Sequence, residues 1–214
     1  MKSDGSRIKS LQHEFYSPED SNCPICEGFA DIFKQRPDSG EICFNVPPEL
    51  GSGSSRRIRL GDDMEICFND MRFSRKIQMS GKTRGEACIL MFCLGENMLW
   101  HETISGQSIE LKKSSGILYR VGEINEAGIY EMNRQYQGIT ISVHPRRFSE
   151  HFSSPVSWGR LFTNRHANYE YVRYVLPPEV GIIIAETLRC PYKGAMKALY
   201  LEGKVLELLA VCMD

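Results

Sequence analysis

The sequence predicts a mainly β chain, a small antiparallel barrel followed by an antiparallel pair of helices. Three observations carry that reading. Short segments rich in β-branched and aromatic residues recur at a spacing of roughly ten residues between Arg56 and Val143, divided by Gly, Asn, Asp and Ser. Helical patterns do not interleave with them, which argues against a parallel βαβ sheet. After His144 the apolar period changes from that of a strand to that of a helix.

Residues 1–55 are polar and rich in turn-formers ("SPEDSNCP", "RPDSG", "PPELGSGSS"), and read as a partly irregular arm with one short strand at "EICFNV". Residues 56–144 supply the barrel. Its candidate strands are "RRIRL", "MEICFN", "MRFSRKIQMS", "EACILMFCLG", "NMLWHETIS", "QSIELKK", "GILYRVG", "GIYEMNR" and "GITISVH". Alternation is clear in several; Ile109 and Leu111 point one way while Glu110 and Lys112 point the other. A closed antiparallel barrel with a filled or ligand-holding interior follows. The pentapeptide "EICFN" occurs at 41–45 and again at 65–69, but its flanks do not match, which favours two similar strands over an internal duplication.

Residues 145–214 read as helical. "HPRRFSEHF" offers Pro145 at a first helical position, and "LPPEVGIIIAETLRC" offers Pro177 and Pro178. In the latter, Val180, Ile183, Ile184, Thr187 and Leu188 make one apolar face. Pro191 ends that helix, because proline lacks a backbone donor and clashes with the preceding turn. The last helix, from about Gly194, has two apolar stripes. Met196, Leu199, Tyr200, Gly203, Leu206 and Ala210 form one; Ala198, Leu201, Val205, Leu208 and Cys212 form the other. One stripe is expected to dock on the chain's own domain and the other to meet a second copy, with Leu199, Gly203, Leu206, Leu201, Val205 and Leu208 as interface candidates. Gly203 inside a helix is unfavourable by about 1 kcal/mol relative to Ala, and a close helix approach is the expected compensation. "LAVCMD" offers no Gly or Asn cap, so the helix reads as one that continues.

Charge excludes some functions. With 26 Lys plus Arg against 27 Asp plus Glu, there is no basic excess for duplex binding. Arg56, Arg57 and Arg59 read as a solvated strand edge. The longest apolar run, "ACILMFCLG", has the length of a buried strand and falls short of the roughly 20 residues a membrane helix needs. The start lacks a signal-peptide core, and most of the 8 cysteines sit in apolar stretches, so the expected compartment is the cytoplasm.

Catalytic signatures are weak. Cys23 and Cys26 of "CPIC" have the spacing of half a zinc site, with His13 or Cys43 as the remaining ligand candidates, but plain cysteines are the more common outcome. A metal-dependent barrel enzyme, the alternative function, needs several inward His and an acid. His101 and Glu102 are adjacent and face opposite ways, His144 ends a strand, and His151 and His166 lie elsewhere. No GxSxG, P-loop or GxGxxG occurs. The sequence calls for no cofactor and no catalysis. For a small-molecule pocket the candidates are Phe92, Trp100, Tyr119 and Tyr130, with Arg75 and Arg120 for negative charge, although strand aromatics are more often ordinary core.

The segment "CPYKGAMKALYLEGKVLELLAV" resembles the linker-proximal helices of AraC-type transcriptional regulators, in particular the subgroup that controls siderophore uptake. The matching positions are Cys190, Pro191, Tyr192, Gly194, Leu199, Tyr200, Leu201, Glu202, Lys204, Leu206, Glu207 and Leu208. The resemblance implies a cupin-like sensor barrel, a helical dimerisation segment, and a small-molecule effector such as a ferric siderophore. It also implies DNA contact through a helix-turn-helix domain of roughly 100 further residues that would follow Asp214. The "CPIC" arm has no counterpart in that pattern.

Overall fold

The computed structural model describes residues 9–16, 34–38, 41–84, 87–102, 106, 108–121, 124–145, 147 and 169–213. The described strands are β1 (Lys9–Tyr16), β2 (Lys34–Asp38), β3 (Glu41–Asn45), β4 (Gly51–Leu60), β5 (Met64–Phe73), β6 (Ile77–Arg84), β7 (Ala87–Cys93), β8 (Met98–Glu102), β9 (Ser108–Leu111), β10 (Ser115–Val121), β11 (Ile124–Tyr130), β12 (Gln135–Val143) and β13 (Tyr169–Val175). Two helices follow, α1 (Pro178–Leu188) and α2 (Gly194–Met213).

The strands build two sheets, not one closed barrel. The larger has eight strands in the order β13-β10-β7-β12-β5-β4-β3-β2, and the smaller has five in the order β1-β6-β11-β8-β9. They face each other as a β-sandwich, in which the register is antiparallel among the described pairs except for β1 with β6. Facing sheets satisfy the need to bury each apolar face without closure.

β7 shows why the sequence builds this. "ACILMFC" is apolar at every position because β7 is covered on both faces. Cys88, Leu90 and Phe92 face outward into a core shared with α1 and α2, while Ala87, Ile89, Met91 and Cys93 face inward toward the small sheet. A second inner cluster, with Phe44, Met71, Phe73, Ile77, Met79 and Tyr136, fills the other end of the sandwich. Gly53 in β4 has φ +99°, and a Cβ there would stand 2.0 Å from the Asp70 carbonyl oxygen, so only glycine lets β4 lie against β5 at that point.

Several expectations change. "MRFSRKIQMS" is two strands: the chain leaves the large sheet after Phe73 and enters the small one at Ile77, with the Ser74 N–H donating to the Leu50 carbonyl at 2.8 Å across the turn. More strand is present in residues 1–55 than one short segment, since β1, β2, β3 and the start of β4 fall there. β13, "YEYVRYV", lies within the stretch expected to be helical and pairs antiparallel with β10. The helix expected at "HPRRFSEHF" falls mostly outside the described residues.

The repeated "EICFN" pentapeptides occupy β3 and β5 on either side of β4. Their registers differ by one residue: Ile42 and Cys67 both stand opposite Arg57. A slip of one residue reverses the faces. Phe44 therefore joins the inner core while Phe68 joins the outer one, and the two copies are not structural equivalents.

α1 begins with proline in its first turn, as read, and buries Val180, Ile183, Ile184 and Thr187; Leu188 is instead about half exposed. The Thr187 hydroxyl donates to the Ile183 carbonyl at 2.7 Å, which satisfies it inside the core. α2 settles the question of its two stripes. Leu201, Val205 and Leu208 are fully buried within the chain itself. They dock α2 on the large sheet and cannot be part of a partner surface, a correction to their place among the interface candidates. Leu199, at 62% exposed, and Gly203, also exposed, are left facing outward, while the half-buried Leu206 packs partly against the outer core. Among the described residues, a Cβ at Gly203 would meet nothing within 4 Å.

Candidate ligand-binding wall

A polar band crosses the inner face of the large sheet between its two apolar clusters. It starts from alternation: in β4, Ile58 and Leu60 face the helices, so Ser55 and Arg57 face the sandwich interior. In β5, Ile66 and Phe68 face the helices, so Glu65, Cys67 and Asn69 face inward beside them. The β12 residues Thr140 and Ser142 stand opposite Cys67 and Glu65 and extend the band.

Burial makes this band unusual. Ser55, Arg57 and Glu65 are 1%, 6% and 6% exposed. An Arg57 Nη2 donates to a Glu65 carboxylate oxygen, a pair removed from solvent on both sides. The Ser55 hydroxyl donates to Asn69 Oδ1 at 2.8 Å and lies 3.2 Å from Cys67 Sγ. Burial pushes the Cys67 thiol up from its usual range, with the Arg57 charge opposing more weakly, so it sits here as a neutral group and not as a thiolate. Charged side chains are rarely buried unless paired, and such a pair often adds no net stability over apolar residues of the same volume. A polar band kept inside a sandwich is therefore a feature that core stability alone does not call for.

Along the sheet the band passes into an apolar and aromatic strip. Ile89 and Met91 of β7, both half-buried, stand opposite Ser142 and Thr140. Beyond them come Tyr119 and Ile117 of β10. Trp100 of β8 reaches Tyr119 from the small sheet, ring centroids 5.6 Å apart at 45°.

The structure thus unites two of the residues singled out from sequence, Trp100 and Tyr119, and separates the rest. Phe92 faces the helices in the outer core, so it cannot line the interior, a consequence of standing one residue from Met91. Tyr130 packs edge-on against Phe73 and Tyr136, at 5.3 and 4.9 Å, in the other inner cluster. Arg75 is exposed in a turn and donates to the Glu49 carbonyl at 2.9 Å. Arg120 pairs with Cys88 in the register; its side chain lies outside the described residues. Cys23 and Cys26, with His151 and His166, also lie outside them. His101 Nδ1 is 2.7 Å from the Ser108 hydroxyl. Among the described residues no three His, Cys, Asp or Glu gather as a metal-binding group. Arg57, read as part of a solvated edge, is the main correction: Arg56 and Arg59 are exposed, but Arg57 is interior.

Comparison with known proteins agrees with this architecture. Residues 51–214 match the family described as the regulatory protein PchR N-terminal domain, of the AraC type. The chain belongs to that family. A search of curated proteins by sequence finds no match. Among solved structures, the AraC-like transcriptional activator CuxR aligns at TM-score 0.50 and 10% identity, covering 86% of this chain and 62% of its own. ToxT from Vibrio cholerae with a bound unsaturated fatty acid aligns at TM-score 0.45 and 7% identity, over 73% of this chain and 58% of its own. The bacterial pirin YhhW from Escherichia coli, in complex with nickel(II), aligns at 0.39 and 9%, over 69% and 56%. The PchR-type domain spans less than two thirds of each of these proteins. Among its described residues no helix is long and apolar enough to cross a membrane.

Proposed function

We propose that this PchR-type domain is the effector-sensing and dimerising part of a cytoplasmic transcriptional regulator, without catalytic activity of its own, and that its effector binds on the inner wall of the large sheet. DNA contact would belong to a separate domain of the same regulator. The observation that carries the proposal is the band of buried Ser55, Arg57 and Glu65 with half-buried Asn69, beside the Trp100–Tyr119 pair. Small-molecule sites commonly combine an apolar or aromatic body with a few placed polar groups. A ferric siderophore fits that chemistry: aryl rings suit Trp100 and Tyr119, and anionic donor groups suit Arg57.

A thermal-shift screen of the purified chain against iron-loaded and iron-free siderophores tests this. Selective binding at 100 times the dissociation constant stabilises the folded state by about 2.7 kcal/mol, a readily measured rise in melting temperature. A flat response across aryl-bearing and other siderophores would sink the siderophore assignment.

The partner assigned to the outward stripe of α2 is a second copy of the chain. Met196 and Leu199 are 58% and 62% exposed there, with Ile182 of α1 61% exposed. An isologous contact would cover these side chains, and Gly203 would let two backbones come close. Sedimentation is expected to show a dimer that Leu199→Glu converts to monomer. Gly203→Ala separates helix propensity from packing: it should raise stability by about 1 kcal/mol in a monomer yet weaken the dimer. If Leu199→Glu leaves the dimer intact, this stripe is not the interface.

A further inference from the structure

The same β4–β5 hairpin that carries the inner polar band also holds α2 from outside. Arg56 is the neighbour of Arg57 on β4 and faces the opposite way. Its guanidinium lies 5.4 Å above the Phe68 ring and 3.9 Å from a Glu41 carboxylate oxygen. The other Glu41 oxygen accepts from Lys197 Nζ, near the start of α2. Both side chains of that contact are mostly covered, 18% and 15% exposed. A second set of contacts lies at the hairpin's turn. Arg147 Nη2 donates to Glu202 of α2 at 2.8 Å, and its Nη1 is 3.9 Å from Asp63, in the turn joining β4 to β5. The Asp63 carbonyl accepts the His144 N–H at 2.8 Å, which ties the end of β12 to the same turn.

We infer that these two ion-pair relays, Lys197–Glu41–Arg56 and Glu202–Arg147–Asp63, form a latch through which the state of the inner wall sets how firmly α2 is docked. The inference rests on the proposed inner-wall effector site and names how that site would be read out. Side chains alternate across a strand, so any displacement of β4 or β5 that accommodates a ligand at Arg57 or Asn69 also displaces Arg56 and the Asp63 turn. Close-packed elements respond to such shifts by moving between discrete arrangements. Apolar burial alone would hold α2 in place without regard to what β4 contacts inside. Ion pairs differ, because their strength depends on distance and on partial burial. Two separate relays also fix the helix along its length as well as its height above the sheet, and loosening both alters its angle. Movement of α2 would alter whatever follows it and the stripe proposed to pair with a second copy.

Amide hydrogen exchange on peptides spanning residues 194–206 of the whole chain, with no ligand added, tests the latch. Glu41→Gln and Arg147→Met are each expected to speed exchange there roughly two- to five-fold, the effect of losing one partly covered ion pair on a local opening. Inner-wall variants Asn69→Leu and Glu65→Gln should also change exchange in α2 of the otherwise native chain. In the Glu41→Gln/Arg147→Met background that second change should vanish. Asn69→Leu keeps the test valid if Glu65→Gln does not fold. The latch is overturned if the inner-wall variants leave α2 unchanged in the native background, or alter it equally in both. Because no ligand takes part, that failure is distinct from a flat siderophore screen, which would count against the siderophore assignment alone.

Discussion

Leu208→Ala is expected to lower the free energy of unfolding by about 2–5 kcal/mol, the range for removing a fully buried leucine from a packed core. Leu199→Ala, nine residues earlier on the same helix, should change the monomer by no more than about 0.5 kcal/mol. The contrast comes from burial: Leu208 is 0% exposed in the core that α2 shares with β4, β5, β7 and β12, and Leu199 is 62% exposed. Total stability of a domain is about 5–15 kcal/mol, so the first change removes a large share of it. Urea unfolding followed by circular dichroism, at concentrations where the chain is monomeric, is the measurement. A lower midpoint for Leu199→Ala than for Leu208→Ala would mean that α2 docks through its other stripe and that the assignment of faces is reversed.

Much of the architecture was legible because it rests on local period. Strand spacing from β4 to β12, the paired helices and the proline-started α1 all follow from side chains alternating or repeating within short windows. The parts that were not legible depend on contacts distant in sequence. β13 is a strand because β10 offers it an edge, and "YEYVRYV" carries no local mark of that partner. The break inside "MRFSRKIQMS" was hidden because Ser74 to Lys76 contain neither Gly nor Pro, although the chain changes sheets there. Closure into a barrel was expected from strand spacing and alternation, yet two facing sheets satisfy the same pattern.

Legibility of the candidate site failed for a related reason. A period of two states that a strand has two faces and leaves open which of them meets water. In "SSRRIRL" the charged residues looked like the solvent face, and for Arg56 and Arg59 exposure is what the structure shows. Arg57 and Glu65 were hidden by that same pattern, since both faces of β4 and β5 are covered, one by helices and one by the small sheet. Gly203 taught the opposite lesson. A glycine within a helix suggested a close helix approach, and among the described residues nothing stands within 4 Å of a Cβ placed there.

Arg57→Met is expected to destabilise the domain by about 3–5 kcal/mol, because it leaves Glu65 as a buried charge without its cation. Glu65→Leu alone should act in the same direction by stranding Arg57. The double variant Arg57→Met/Glu65→Leu is expected to recover most of that loss, or to exceed the native stability, since apolar side chains of similar volume avoid desolvating two charges. Thermal unfolding of the four proteins measures the coupling, which should reach several kcal/mol if the two residues act as one unit. Function should separate from stability in this set. A stable double variant that no longer responds to any siderophore that stabilises the native domain would show that the pair is kept for recognition. If the double variant is as unstable as Arg57→Met, the packing around Arg57, and not the uncompensated charge, sets the loss. If it folds and still responds in full, Arg57 and Glu65 are outside the recognition surface, and the effector contacts shift toward Trp100 and Tyr119.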